Sequence, residues 1–466
     1  MADTQELEPK TPASDEVEAP PAALSTEWID RIEALLEAGS ADELREHVVP
    51  LPPADVADLI EALSSENRVA LLRTLGDMFD AEVLPELDGA VRDEVLAAFE
   101  PDRLVAAVSD LESDDALEVV SDLEPGQREA LLSRLPAADQ VLLRQGLTYP
   151  EYTAGRLMQR DLLAIPGFWT VGDTIDFLRV SSDLPDDFYD IFVVDPRHQP
   201  IGQTPLSRIL RNKRSVAIAD IMDAVTSPFP VTMDQEDLAH RFRQANLTSA
   251  PIVSEEGRLL GVVTIDDIVD VIDEEHEDDL LRMAGVREPD LYEAVFDTTK
   301  ARFRWLLVNL GTAILASAVI AMFEATIEEI VALAVLMPIV ASMGGNAGTQ
   351  ALTVAVRGLA MRQLTQRNAM RVMWKEVLVG GINGIAFAII AGVLSALWFG
   401  DFLLGGVIAL AMVANLVVAG FFGVAIPVGL NHFKIDPAVA SSVLLTTVTD
   451  VVGFFAFLGL AALLLL

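Results

Sequence analysis

The chain has 466 residues, 52% of them hydrophobic, and a formal net charge of −39, values that rarely meet in one soluble domain. Residues 301–466 hold eight Lys/Arg and seven Asp/Glu, leaving about −40 on the first 300 residues, so an acidic soluble half is joined to a nearly uncharged apolar half. With no cysteine there is no disulfide framework and no thiolate metal site, and five scattered histidines (His47, His198, His240, His276, His432) argue against soft-metal chemistry.

The chain opens on "MADTQELEPKTPASDEVEAPPAALSTE", which lacks the basic and apolar regions of a signal peptide. Its Pro, Glu and Ala bias reads as a disordered acidic tail over residues 1–25, and the soluble half is expected to stay in the cytosol. An N domain is expected over residues 26–150, where between about Ala57 and Leu147 short apolar clusters such as "ADLIEAL", "ALLRTL", "EVLAAF" and "ALEVVSDL" recur every eleven to thirteen residues. Helices that short cannot bury such a stripe alone, so an all-helical superhelix of stacked hairpins is expected.

A second repeat follows. "LMQRDLLAIPGFWTVGDTIDFLR" aligns with "IMDAVTSPFPVTMDQEDLAHRFR", pairing Leu157 with Ile221, Pro166 with Pro230 and Asp173 with Asp237, and Gly202 pairs with Gly261 further on. Each unit has helix, strand, strand, helix periodicity, giving repeats at 151–218 and 219–275. They resemble a tandem cystathionine-β-synthase (CBS) pair, the α/β Bateman module that senses adenine nucleotides. That resemblance implies a nucleotide such as ATP beside Ala250, Pro251, Thr264 and Asp267 of the second repeat. The first repeat departs from the motif, with Pro205 and Arg208 where Thr264 and Asp267 stand.

An acidic connecting helix is expected over residues 276–300, and then five apolar segments long enough to span a bilayer: 305–323, 330–356, 377–398, 402–430 and 438–466. Lys300, Arg302 and Arg304 precede the first, Arg357, Arg362, Arg367, Arg371 and Lys375 fill the second connection, and Lys434 lies in the fourth. By the positive-inside rule the N-terminus is cytoplasmic and the C-terminus outside, in a plasma (inner) membrane. Small residues at four-residue spacing, Gly380 with Gly384 and Ala419 with Gly423 and Pro427, suit a packed bundle.

Two features inside the spans point to ion passage. "MPIVASMGGNAGTQ" puts Gly344, Gly345, Asn346 and Gly348 at membrane depth, read as a water-lined path along Asn346 and nearby carbonyls or as a helix-packing groove. "SSVLLTTVTDVVGFF" carries one acid, Asp450, costing about 2.5–3.5 kcal/mol at mid-membrane, with Ser442, Thr446 and Thr447 within two turns. Asp436 falls at the mouth of the same segment.

Helical superhelix, CBS pair, acidic connector and five spans bearing "RFRWLL", "GGNAGTQ", "DPA" and Asp450 together resemble the MgtE family of magnesium channels. The resemblance implies a homodimer with a central pore, Mg²⁺ as cargo and regulator, and Asp450 in the selectivity site. Family members often carry a proline where this chain has Val443. The acids Asp114, Asp115, Asp234, Glu236, Asp270, Glu275, Asp278 and Asp279 outnumber nearby bases, and bound Mg²⁺ would relieve their repulsion and close the pore. No P-loop is present and neither an enzyme nor a nucleic-acid partner is expected. The alternatives are a broader divalent cation transporter (Mn²⁺, Co²⁺) and a membrane-anchored nucleotide sensor without transport.

Overall fold

Prolines and short polar caps cut the first part of the chain into brief helices. The computed structural model describes residues 25–181, 184–185, 188–224, 228–286 and 295–466, so the expected acidic tail lies outside the described residues except for Ser25. Its backbone divides into two units, Met1–Ile272 and Asp273–Leu466.

The first unit begins with α1 (Thr26–Ala38), α2 (Ala41–Val48), α3 (Pro53–Ala62), α4 (Ser65–Leu75), α5 (Gly89–Ala98), α6 (Pro101–Asp110), α7 (Ser113–Asp122), α8 (Pro125–Leu132) and α9 (Ala137–Gly146). Proline occupies the first turn of α3, α6 and α8, where its missing N–H costs nothing, and Ser25, Ser64 and Asp88 cap α1, α4 and α5. One apolar core runs through the array from Ile32 to Leu143, matching the repeated clusters in the sequence. The repeat extends to its polar seams. Arg68 and Arg128 each donate through Nε to the carbonyl eight residues earlier, Ile60 and Val120, closing the end of the preceding helix.

After α10 (Ala154–Leu157) come two matching α/β repeats. The first holds β1 (Ala164–Pro166), α11 (Val171–Val180), β2 (Asp190–Val194), β3 (Pro200–Pro205), α12 (Leu206–Arg211) and β4 (Asp223–Ala224). The second holds β5 (Phe229–Pro230), α13 (Gln235–Ala245), β6 (Ser249–Val253), β7 (Leu259–Thr264) and the first turns of α14 (Ile265–Ala284). In each repeat the first strand pairs parallel with the second and the second antiparallel with the third. The ladder also slips at the equivalent point, Val193/Val194 and Ile252/Val253. Gly202 and Gly261, aligned by sequence, sit opposite Val193 and Ile252.

The second unit contains α15 (Val295–Ala321), the short α16 (Glu324–Glu329), α17 (Ala332–Ala360), α18 (Ala369–Phe399), α19 (Phe402–His432) and α20 (Pro437–Leu464). The five long ones are apolar and long enough to cross a membrane. They overrun most of the expected spans, and α18 takes the Lys375–Glu376 pair into its early turns. Glycine sets the closest approach. A Cβ on Gly384 would lie 3.1 Å from Val413 Cα and one on Gly392 2.9 Å from the Gly405 carbonyl, so α18 and α19 meet nearly backbone to backbone. Gly423 does the same against Gly348 and Ala351 of α17.

This contact predicts an asymmetry between neighbours. Gly384→Leu is expected to cost about 1–3 kcal/mol through overpacking, read as a lower thermal midpoint of the purified protein. Gly381→Leu, whose Cβ would meet only Val417 Cγ2 at 3.8 Å, is expected to leave that midpoint unchanged.

Candidate functional site

Span two is one continuous helix with Pro338 inside it, so the glycine-bearing stretch keeps helical backbone geometry. What α17 offers is a polar edge. Ser342, Asn346, Thr349, Gln350 and Thr353 are all exposed and fall within one face at helical spacing. Asn346 donates to Ser342 Oγ at 3.4 Å, while Thr349 and Thr353 donate to carbonyls of their own helix. The three glycines divide between roles. Gly345 borders the polar edge with open space beside it, whereas Gly344 and Gly348 are buried against Asn415 and Leu445, which makes them packing positions.

Asp450 is half-buried on α20, and among the described residues no side chain hydrogen-bonds or pairs with its carboxylate. Ser442, Thr446 and Asp450 follow at four-residue spacing along one face. Thr446 donates to the Ser442 carbonyl at 3.0 Å and Thr447 to the Val443 carbonyl at 2.6 Å, so their donors are used and their oxygens remain acceptors. Despite Val443 in place of proline, α20 is unbroken from Pro437 to Leu464.

Sequence reasoning missed Asn415, a lone amide in the apolar run of α19. It is fully buried, donates through Nδ2 to the Val340 carbonyl at 2.9 Å, and leaves Oδ1 without a partner. Its side chain is wedged between Gly344 of α17 and Gly453 of α20. With Gly348 against Leu445, these contacts fix an antiparallel register in which Asn346 is level with Asp450. The only advance signal was that a buried amide in such a helix needs a bonding partner.

In the first unit the acids separate by environment. Asp114, in the first turn of α7, is 7% exposed, and both carboxylate oxygens lack a partner. Burial, then the charges of Asp267 and Asp115, hold its carboxyl well above the usual range. The same forces push Asp115 up to about 7, through burial first and then Asp267 and Glu118. Asp267 is raised to about 7 by burial and Asp266, against hydrogen bonds from Thr264. Glu112 and Glu86 are raised too, each by burial first, then by Asp266 and Asp270 respectively. Local structure builds this cluster: Arg160 N donates to Ser113 Oγ at 2.7 Å and Gln159 Nε2 bonds Glu112, tying the start of α7 to the segment paired with Val262. Among the described residues, no three Asp, Glu or His side chains converge tightly enough to hold an ion as they stand.

The structure also locates the residues expected beside a nucleotide and the acids of α13. Asp267 accepts from Thr264 N at 3.3 Å and Thr264 Oγ1 at 3.0 Å, and its charge acts on Asp114. Ala250 and Pro251 are buried within β6. Asp234 is the N-cap of α13, accepting from the main-chain N–H of Glu236 at 3.0 Å, so it and Glu236 serve a helix start. In the first repeat Arg208, standing in the motif's acid position, pairs with Asp223 at 2.8 Å.

The connector acids also divide. Asp270 acts on Glu86 in the first unit. Glu275, Asp278 and Asp279 belong to the second, where Arg282 bridges Asp278 and Asp436. Asp279 is raised by burial and then by Asp436. Asp436 accepts from Ala438 N at 2.8 Å and caps α20.

Comparison with known proteins places these features. Residues 337–460 match the MgtE family model of divalent cation transporters, 51–152 the MgtE intracellular N domain, and 218–274 the CBS domain. The magnesium transporter MgtE of Thermus thermophilus is 31% identical over 440 residues, covering 93% of this chain and 98% of that one. Its Bacillus subtilis counterpart is 27% identical over 438 residues, covering 93% and 97%. The solved cytosolic domain of the Mg²⁺ channel MgtE in complex with ATP is 28% identical, covers 52% of this chain and 99% of that one, and superposes with a TM-score of 0.49. A helical N domain, a CBS pair and five membrane helices thus make this chain a multi-pass membrane protein and a member of the MgtE family of divalent cation transporters.

Proposed function

We propose that the chain is a Mg²⁺ channel in which hydrated Mg²⁺ passes Asp450 and cytosolic Mg²⁺ closes the path. The observation that carries this reading is Asp450: a carboxylate on an apolar membrane helix, without a side-chain partner among the described residues, level with the exposed polar edge of α17. Polar side chains at such depth face protein or water, so the α17 edge and the Asp450 face line an interface or a pore. A two-fold homodimer would bring two Asp450 carboxylates around one axis. Mg²⁺ sheds water reluctantly, and acceptor oxygens on Ser442, Thr446, Thr447 and Asn346 suit its water shell better than direct ligation. With the N-terminus cytoplasmic, entry of one divalent ion through 100 mV releases about 4.6 kcal/mol, which is enough for passive flux. The homodimer, the pore and the inner-membrane orientation are parts of this proposal.

Closure is assigned to the acids of the soluble half. Asp114, Asp115 and Asp267 are crowded and desolvated without a counter-charge among the described residues, so a divalent cation would gain by drawing them together. Glu275, Asp278, Asp279 and Asp436 form the corresponding group at the membrane unit. Modulation by an adenine nucleotide is a secondary proposal resting on the CBS match, with Asp267 already engaged elsewhere.

Two tests follow from these residues. In proteoliposomes Asp450→Asn, equal in size but uncharged, is expected to lose most Mg²⁺ flux, and hexaammine cobalt, a mimic of hydrated Mg²⁺, is expected to inhibit the wild type. Flux equal to wild type, or no inhibition, would remove Asp450 from the path or exclude recognition of the hydrated ion. The second test uses pH. Asp115 and Asp267 bind protons more tightly when folded, so they favour the folded state at low pH and that contribution is lost as pH rises through about 7. Without divalent ions, resistance of the cytosolic half to proteolysis is expected to fall as pH rises from about 4 to about 7 and to level off above that, and Mg²⁺ is expected to restore it. Cleavage that ignores both pH and Mg²⁺ would count against the sensor.

A further inference from the structure

Near the end of α14, Arg282 sends one guanidinium arm to each of two carboxylates. Nη2 donates to Asp278 Oδ2 at 2.6 Å, one turn earlier on the same helix, and Nη1 donates to Asp436 Oδ2 at 2.9 Å, 154 residues further along the chain. Asp436 is already committed through its other oxygen, which accepts from Ala438 N and caps the helix that carries Asp450. One carboxylate therefore starts α20 with one oxygen and holds the connector with the other.

The surrounding packing fits a seated helix end. Met283, next to Arg282, packs with Leu352, Val356, Ala438 and Leu445, which belong to α17 and α20. Gly285 ends α14 at φ +80° against the Trp305 ring, where a side chain would not fit. The charges do not balance. Glu275, Asp278, Asp279 and Asp436 act on Arg282 or on one another here, and the arginine offsets only part of that negative charge. A planar guanidinium, charged at any relevant pH, spans two carboxylates at once; an ammonium meets them as a point charge.

We propose that Arg282 is a positioning residue, a tethered cation that holds α14 on the first turn of α20 when no divalent ion is bound there. The seat of the connector is then set by the protein's own charge and reinforced by Mg²⁺. Its consequence for flux rests on the gating reading above, whereas the seating itself does not.

The chain has no cysteine, so Met283→Cys in the full-length protein introduces a single reporter thiol beneath the seat. With Arg282 present, maleimide labelling is expected to be slow in EDTA and in Mg²⁺. Adding Arg282→Gln is expected to speed labelling in EDTA about fivefold, with Mg²⁺ slowing it again, and to raise flux at low Mg²⁺. Arg282→Lys, which keeps charge but loses the fork, is expected to fall between; Asp436→Asn, which removes the carboxylate that Arg282 holds on α20 while keeping an amide oxygen to cap the helix, serves if the glutamine variant does not fold, and is expected to speed labelling likewise. An unchanged EDTA labelling rate in folded Arg282→Gln or folded Asp436→Asn overturns the proposal. Faster labelling in EDTA that Mg²⁺ fails to slow would support Arg282 as the seat and overturn Mg²⁺ gating of the connector.

Discussion

Carboxylates held away from water with no counter-charge among the described residues shape both halves of this molecule. Removing a charge from water costs several kcal/mol unless something pairs with it. At Asp450 the cost is met in an apolar helix with no partner among the described residues. At Asp114 it is met in a protein core where both oxygens are orphaned. In the proposed reading the missing partner is the same in both places, a divalent cation that is cargo in one and signal in the other.

The rest of the membrane unit follows from holding such an acid at depth. Asp450 has meaning only if its helix is fixed against the polar edge of α17, and glycine and Asn415 supply that fixing. Gly344 and Gly453 leave room for the amide, Gly348 admits Leu445, and the backbone contact of α18 with α19 supports them from behind. The unpaired Oδ1 of Asn415 costs about 1–3 kcal/mol; its donor bond to Val340 and its place between three helices are the visible return.

Coupling between signal and cargo needs a physical link, and α14 is the element suited to it. Its first turn presents Asp267 to the acidic cluster and its last turns carry Asp278 and Arg282 toward Asp436. In the proposed reading both ends would answer to cation concentration through the same chemistry. The end at α20 differs in holding a cation of its own, which would set how much Mg²⁺ must add.

Composition, charge asymmetry and apolar run length were enough to determine the architecture, because burial and membrane insertion act on segments and leave their period in the sequence. The helical repeats, the matched α/β units down to Gly202 and Gly261, the five spans and the exceptional Asp450 were legible on that ground. Tertiary structure alone decided partnership, since a carboxylate's neighbours come from distant segments. It set Asp267 beside Asp114, made Asp234 a helix cap, packed Gly344 and Gly348 against Asn415 and Leu445, and wedged Asn415 between Gly344 and Gly453. Each turns on which groups share a desolvated space, a property of the fold that no local pattern records.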